Sequence, residues 1–121
     1  PLAMRVLILL LCLVTAPATA QTFDTYRSFR DSLDAVVRVA DAGTRDSTLR
    51  SLWNTLAGEG QVPFRHRDSV AFLHFKQEAD VSVAGDFNRW SSRDWPAARM
   101  GETWMWIREA TFPTDARLDY K

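Results

Sequence analysis

The apolar pattern of this chain changes period once, around Gly58-Glu59-Gly60 and Pro63, and the change divides it into a helical part and a β part. From Thr22 to Ala42, residues Phe23, Tyr26, Phe29, Leu33, Val36, Val37 and Ala40 recur at three- and four-residue spacing, which puts them on one face of a helix. Gly43 is expected to end that helix as its C-terminal cap. A second helix is expected to start after Thr44 or Asp46, whose side chains can accept free backbone N–H groups. It would carry Leu49, Leu52, Trp53 and Leu56 on one stripe as far as Gly58. The region 21–62 thus reads as an antiparallel helical hairpin and its linker, a packing or spacer element ahead of the β part.

Beyond the linker the pattern is twofold. Val70-Ala71-Phe72-Leu73-His74-Phe75 is apolar on both sides, as a doubly covered strand requires, and the β-region is expected to start near Ser69. Val81, Val83, Gly85 and Phe87 alternate with Ser82, Ala84, Asp86 and Asn88, the mark of a half-buried strand. Trp104, Trp106, Ala110 and Phe112 share one face of a third strand, and Leu118 and Tyr120 one face of a fourth. Arg108 falls inward on the third strand, where an unpaired guanidinium is expensive, so a nearby carboxylate or a route to solvent is expected. Helices followed by strands make an α+β protein, its β part, from Pro63 on, an immunoglobulin-like antiparallel sandwich. Such a sandwich uses about seven strands, and only four or five can be placed here, so the sandwich over 63–121 is expected to be incomplete at its C-terminal side, with an open edge.

The N-terminal residues read as a targeting segment. Met4-Arg5 supplies a positive start, Val6 to Val14 an apolar run and Ala18-Thr19-Ala20 a small-residue cleavage site, so residues 1–20 are expected to be a secretory signal peptide, with Pro1 to Ala3 as upstream read-through. The run is well short of the roughly 20 residues that span a bilayer, so no membrane association is expected after cleavage. The chain's single cysteine, Cys12, lies inside the run, leaving a mature protein without disulfides or thiolate metal ligands. Export to a periplasm or to the extracellular space is expected. Fifteen basic and fifteen acidic residues cancel and are interleaved, so no stripe suited to nucleic acid phosphates can be drawn.

A search for chemistry finds no Gly-x-Ser-x-Gly elbow, no phosphate-cradling glycine loop and no paired-histidine zinc motif, so no catalytic, cofactor or metal residue is assigned. His66, in an Arg-rich linker, and His74, in a strand, are expected to be a solvated side chain and a packing one. Asp86, Asp94 and Glu102 could be imagined as a glycosidase acid and base, but turn and ion-pair roles are the default. Trp90 differs from these. A large flat side chain just past Gly85-Asp86-Phe87-Asn88-Arg89 can lay its ring against the C–H face of a sugar, or equally cover the end of a sandwich or a neighbouring domain. Trp95 in the same loop suggests a surface patch, whereas Trp104 and Trp106 are expected in the core.

From Ser69 to Lys121, and most specifically in Gly85-Asp86-Phe87-Asn88-Arg89-Trp90 and Leu118-Asp119-Tyr120-Lys121, the chain resembles the glycogen-binding type of carbohydrate-binding module. Such modules occur in AMP-activated kinase β subunits and in branching and debranching enzymes and have an early-set immunoglobulin-like fold. That resemblance implies that Trp90 stacks on glucose and that Lys121 hydrogen-bonds an α-glucan, with the family's second stacking tryptophan expected beyond Lys121. Over the whole mature chain there is a closer likeness to the N-terminal part of secreted esterases similar to enterochelin esterase. It is carried by Gly60-Gln61-Val62-Pro63-Phe64, by the Gly-Asp-Phe-Asn-x-Trp turn and by Thr111-Phe112-Pro113-Thr114-Asp115-Ala116-Arg117-Leu118-Asp119-Tyr120-Lys121. In those proteins the sandwich precedes an α/β-hydrolase domain, packs against it and shapes its entrance. The likeness therefore implies a non-catalytic accessory module whose partner is a downstream hydrolase domain of the same chain.

Overall fold

Thr25 starts the first helix. In the computed structural model, which describes residues 23–121, its hydroxyl accepts the Ser28 N–H at 3.0 Å while its own N–H donates to Ser28 Oγ at 3.2 Å, a reciprocal cap that opens helix α1 (Tyr26–Val37). The expected signal segment, with Cys12, lies outside the described residues. Helix α1 ends earlier than its apolar spacing suggests, at Val37. Asp41 then captures the Thr44 N–H at 2.8 Å and starts helix α2 (Ala42–Gly58). Gly43 is therefore in the first turn of α2 and not the cap of α1, and neither Thr44 nor Asp46 is the N-cap. A carboxylate three residues ahead of a free amide is the stronger cap, and these hydrogen bonds hold the Asp41 carboxyl below its ordinary pKa.

Four antiparallel strands, β1 (Phe64–His66), β2 (Ser69–Phe75), β3 (Ala98–Arg99) and β4 (Met105–Thr111), form one sheet in the order β1-β2-β4-β3. With two preceding helices this makes the protein α+β. Strands β1 and β3 escaped the sequence reading because three and two residues are too few to show alternation. His66, expected in a solvated linker, instead pairs with Ser69 across the tight turn at Arg67-Asp68. Strands β2 and β4 pair along their whole length, from Ser69 opposite Thr111 to Phe75 opposite Met105.

This register assigns each face. Ala71, Leu73, Met105 and Ile107 meet Phe29, Leu33, Leu49 and Leu56 from the helices, and the rings of Phe29 and Phe64 stack with centroids 4.1 Å apart. Each of the four helix residues is fully buried, contributing about 1.5–3 kcal/mol of hydrophobic stabilisation. At the rim of this layer the Tyr26 hydroxyl donates to the Glu109 carboxylate, which also lies 3.4 Å from Arg30 Nε, tying α1 to β4.

The opposite sheet face carries Val70 and Phe72, covered by Val83, Phe87, Trp95, Phe112, Leu118 and Tyr120. Apart from Phe87, in a tight turn, and Phe112, just past β4, these come from segments held by single bridges, Ser82 opposite Pro96 and Gly85 opposite Tyr120. The alternation expected from Val81 to Asn88 thus holds as far as Asp86, where the chain tightens into a 3-10 turn, Asp86–Asn88. Arg108 also points to this layer, as alternation requires, but no carboxylate meets it among the described residues. Its guanidinium lies over Trp95 at 5.1 Å and reaches the exposed Pro96 carbonyl at 3.4 Å, while its Nε is buried without a partner. The route to solvent is the one taken.

Candidate functional site

The loop that presents Trp90 is built from its glycine upward. A Cβ on Gly85 would stand 2.5 Å from the Asp119 carbonyl oxygen and 2.6 Å from Phe87 Cε1, so only glycine lets the chain run this close to segment 119–121. Asn88 then locks the turn: its Oδ1 accepts the Gly85 N–H at 2.9 Å and its Nδ2 donates to the Val83 carbonyl at 2.8 Å. Arg89 and Trp90 follow with φ of 56° and 57°, two consecutive left-handed residues that bear side chains. Each such conformation costs about 1–2 kcal/mol and persists only where its surroundings enforce it. Here the Trp90 N–H donates to the Gly85 carbonyl at 2.9 Å and the indole Nε1 donates to Asp86 Oδ1 at 2.8 Å.

Both polar ends of Trp90 are thereby fixed while its ring stays 45% exposed, the large hydrophobic side chain left open to solvent among the described residues. Trp95, expected beside it on the surface, instead stacks on Phe87 with centroids 4.6 Å apart and packs, half-buried, against the core.

Lys121 exchanges two backbone hydrogen bonds with Ala84, of 2.8 and 3.1 Å, and Asp86 N–H donates to the Asp119 carbonyl at 3.2 Å. Val83 and Tyr120 face Phe72, so alternation turns Ala84, Asp86, Asp119 and Lys121 to the outer side of this ribbon. Lys121 and the Asp86 that holds Trp90 are therefore diagonal neighbours on one face, a spacing of about 7–8 Å between backbones. No hydrogen bond joins Lys121 to Trp90. Lys121 also borders a cavity of about 110 Å³ between the layers, walled by Phe72, Val81, Val83, Trp106 and Tyr120. Burial there raises the Tyr120 pKa.

The other residues considered for chemistry are not assembled into a site. His74 Nε2 lies 3.5 Å from Glu78 Oε1, and His66 is apart in β1. The Asp86 carboxylate is engaged by Trp90, and no hydrogen bond or ion pair links Asp86, Asp94 and Glu102. Among the described residues no cluster of three or more His, Cys, Asp or Glu could hold a metal ion, and no helix is long and apolar enough to cross a membrane.

Trp104 was expected in the core with Trp106. Trp106 is buried, but Trp104 precedes β4, is half-buried, and lies under the Arg99 guanidinium at 3.8 Å. The Gly101 turn beside it, with φ of 55°, is the signal that could have placed it outside the strand. No family model, curated protein or solved structure matches this chain.

Proposed function

We propose that this chain is the non-catalytic N-terminal accessory module of an exported esterase, whose hydrolysis of carboxylic esters resides in an α/β-hydrolase domain of the same polypeptide. The Trp90 loop is the face the module turns toward that domain. The observation that carries the reading is the fixed, exposed Trp90 ring. The loop's two left-handed residues are held by the hydrogen bonds of Asn88, Asp86 and Gly85, and backbone strain kept to present a preformed ring supports a partner for that ring. The module itself is an incomplete immunoglobulin-like sandwich of the early-set kind. Supporting this, Ser82 N–H and C=O have no backbone partner among the described residues and face the side on which Ala84 pairs with Lys121. A strand prolonging the line of 119–121 would pair there and close the cavity behind it.

The reading frame beyond Lys121 tests the proposal. About 250 further residues carrying Gly-x-Ser-x-Gly support it, and a stop within roughly 40 residues sinks it. A second reading, α-glucan binding, is favoured by Lys121 lying diagonally across from the Asp86 that holds the Trp90 indole. It requires that the protein be retained on starch or glycogen and that Trp90→Ala abolish the retention.

A further inference from the structure

A second aromatic site lies on the opposite side of the molecule from the sheet face that Trp90's ribbon covers. Where α2 passes the end of β2, a cleft of about 220 Å³ is lined by Asp46, Arg50, Phe75, Lys76, Gln77 and Trp104. Gln77 and Trp104 also border a shallower depression that continues past Glu78. We propose that this cleft binds a polyhydroxylated ring, a single pyranose unit of a saccharide, with the Trp104 face not covered by Arg99 as its stacking surface.

The aromatic floor is held in place before any ligand arrives. Phe75 packs on Trp53 with centroids 6.2 Å apart and rests against the helix–sheet core. Trp104 is clamped by Arg99, whose own Nε donates to the Thr103 carbonyl at 2.6 Å. Thr103 in turn is buried, with its hydroxyl donating to the Met100 carbonyl at 2.6 Å. Such a platform binds with little ordering cost.

The polar wall selects the ligand class. Arg50 lies over Phe75 at 5.1 Å and makes no ion pair among the described residues, so its guanidinium fork is available as a donor. Gln77 adds both a donor and an acceptor, while Lys76, 3.8 Å from Glu78, and Asp46, 3.7 Å from Arg45, keep spare donor and acceptor capacity beyond those ion pairs. A carboxylate would be drawn to Arg50 and Lys76 but, accepting only, would leave the Asp46 and Gln77 acceptors unpaired, and a bare aromatic ring would leave the whole wall unpaired. Ring hydroxyls, which both donate and accept, satisfy all of it. The cleft uses neither Trp90 nor Lys121, so the inference stands apart from both readings above.

The test is a titration of the ¹⁵N-labelled protein with maltotriose, cellotriose and xylotriose in turn, following the indole N–H signals of the five tryptophans. The inference predicts a saturable shift of the Trp104 signal with at least one sugar, at a Kd of about 1 mM. That response should survive Trp90→Ala and weaken about tenfold in Arg50→Gln, a surface variant that leaves the core untouched. Trp104→Ala should abolish the remaining perturbations at Phe75 and Gln77. A response confined to Trp90, a Trp104 response to benzoate but to none of the sugars, or none at any tryptophan up to about 20 mM sugar would each overturn it.

Discussion

Adding one methyl group at Gly85 decides whether segments 84–86 and 119–121 run side by side as described. The new Cβ would sit 2.5 Å from the Asp119 carbonyl oxygen and 2.6–2.7 Å from two atoms of the Phe87 ring. Two effects of opposite sign compete. Alanine restricts the unfolded chain and, in open space, stabilises by about 0.4–1 kcal/mol. Overpacking costs about 1–3 kcal/mol, and the upper part of that range applies because the obstacle is backbone. The carbonyl cannot retreat without breaking its 3.2 Å bond from Asp86 N–H and the Gly85–Tyr120 bridge, and the Phe87 ring is already stacked on Trp95. The clash wins, for a net loss of about 2 kcal/mol, or a Tm lowered by about 8–16 °C in a domain of this size. Gly58→Ala is the control, because its Cβ meets nothing within 4 Å at the end of α2 and should stabilise by about 0.5–1 kcal/mol. Urea denaturation followed by far-UV circular dichroism measures both. A Gly85→Ala protein as stable as its parent would refute the pairing of 84–86 with 119–121.

Other perturbations address single contacts. Because Trp90 is left-handed at φ 57°, Trp90→Gly should be more stable than Trp90→Ala by about 1 kcal/mol in the same denaturation assay. Arg108→Met removes a guanidinium whose Nε is buried without a partner, but also its contact with Trp95, and should change stability by less than about 1 kcal/mol by thermal melting. Burial, and next the hydrogen bond to Glu109, raise the Tyr26 pKa. The fold prefers the neutral phenol, so this contribution is complete below the unfolded tyrosine value of about 10 and is lost as pH rises through the folded one. Tyr26→Phe should flatten the alkaline decline of Tm. The depressed Asp41 carboxyl works in the opposite direction, stabilising α2 above its unfolded value and losing that contribution as pH falls through the folded one, so Asp41→Asn should blunt the acid side of the profile.

Where long segments repeat one period, the fold was legible in the chain. Leu49, Leu52, Trp53 and Leu56 line the inner face of α2, and Val70 to Phe75 form a strand covered on both sides. Reading failed where a single side chain outweighs the pattern: the Asp41 cap moved Gly43 into a helix, and the Gly101 turn took Trp104 out of its strand. Composition could not separate Trp90 from Trp95 either. Both follow the same turn, but the Trp90 indole is caught by Asp86 at the surface while Trp95 falls across Phe87. The turn that carries Trp90 was itself visible as a motif. Its rigidity was not, since that depends on Asn88 bridging Gly85 and Val83 and on a segment some thirty residues away along the chain.

The central claim is that the Trp90 face serves a hydrolase domain. Its most direct test compares the protein expressed from its complete reading frame with its Trp90→Ala variant, for hydrolysis of p-nitrophenyl acetate and for retention on starch. The account predicts ester hydrolysis that the substitution impairs and no retention by either protein. Retention of the parent that the variant loses, with ester hydrolysis absent or unchanged, would contradict it.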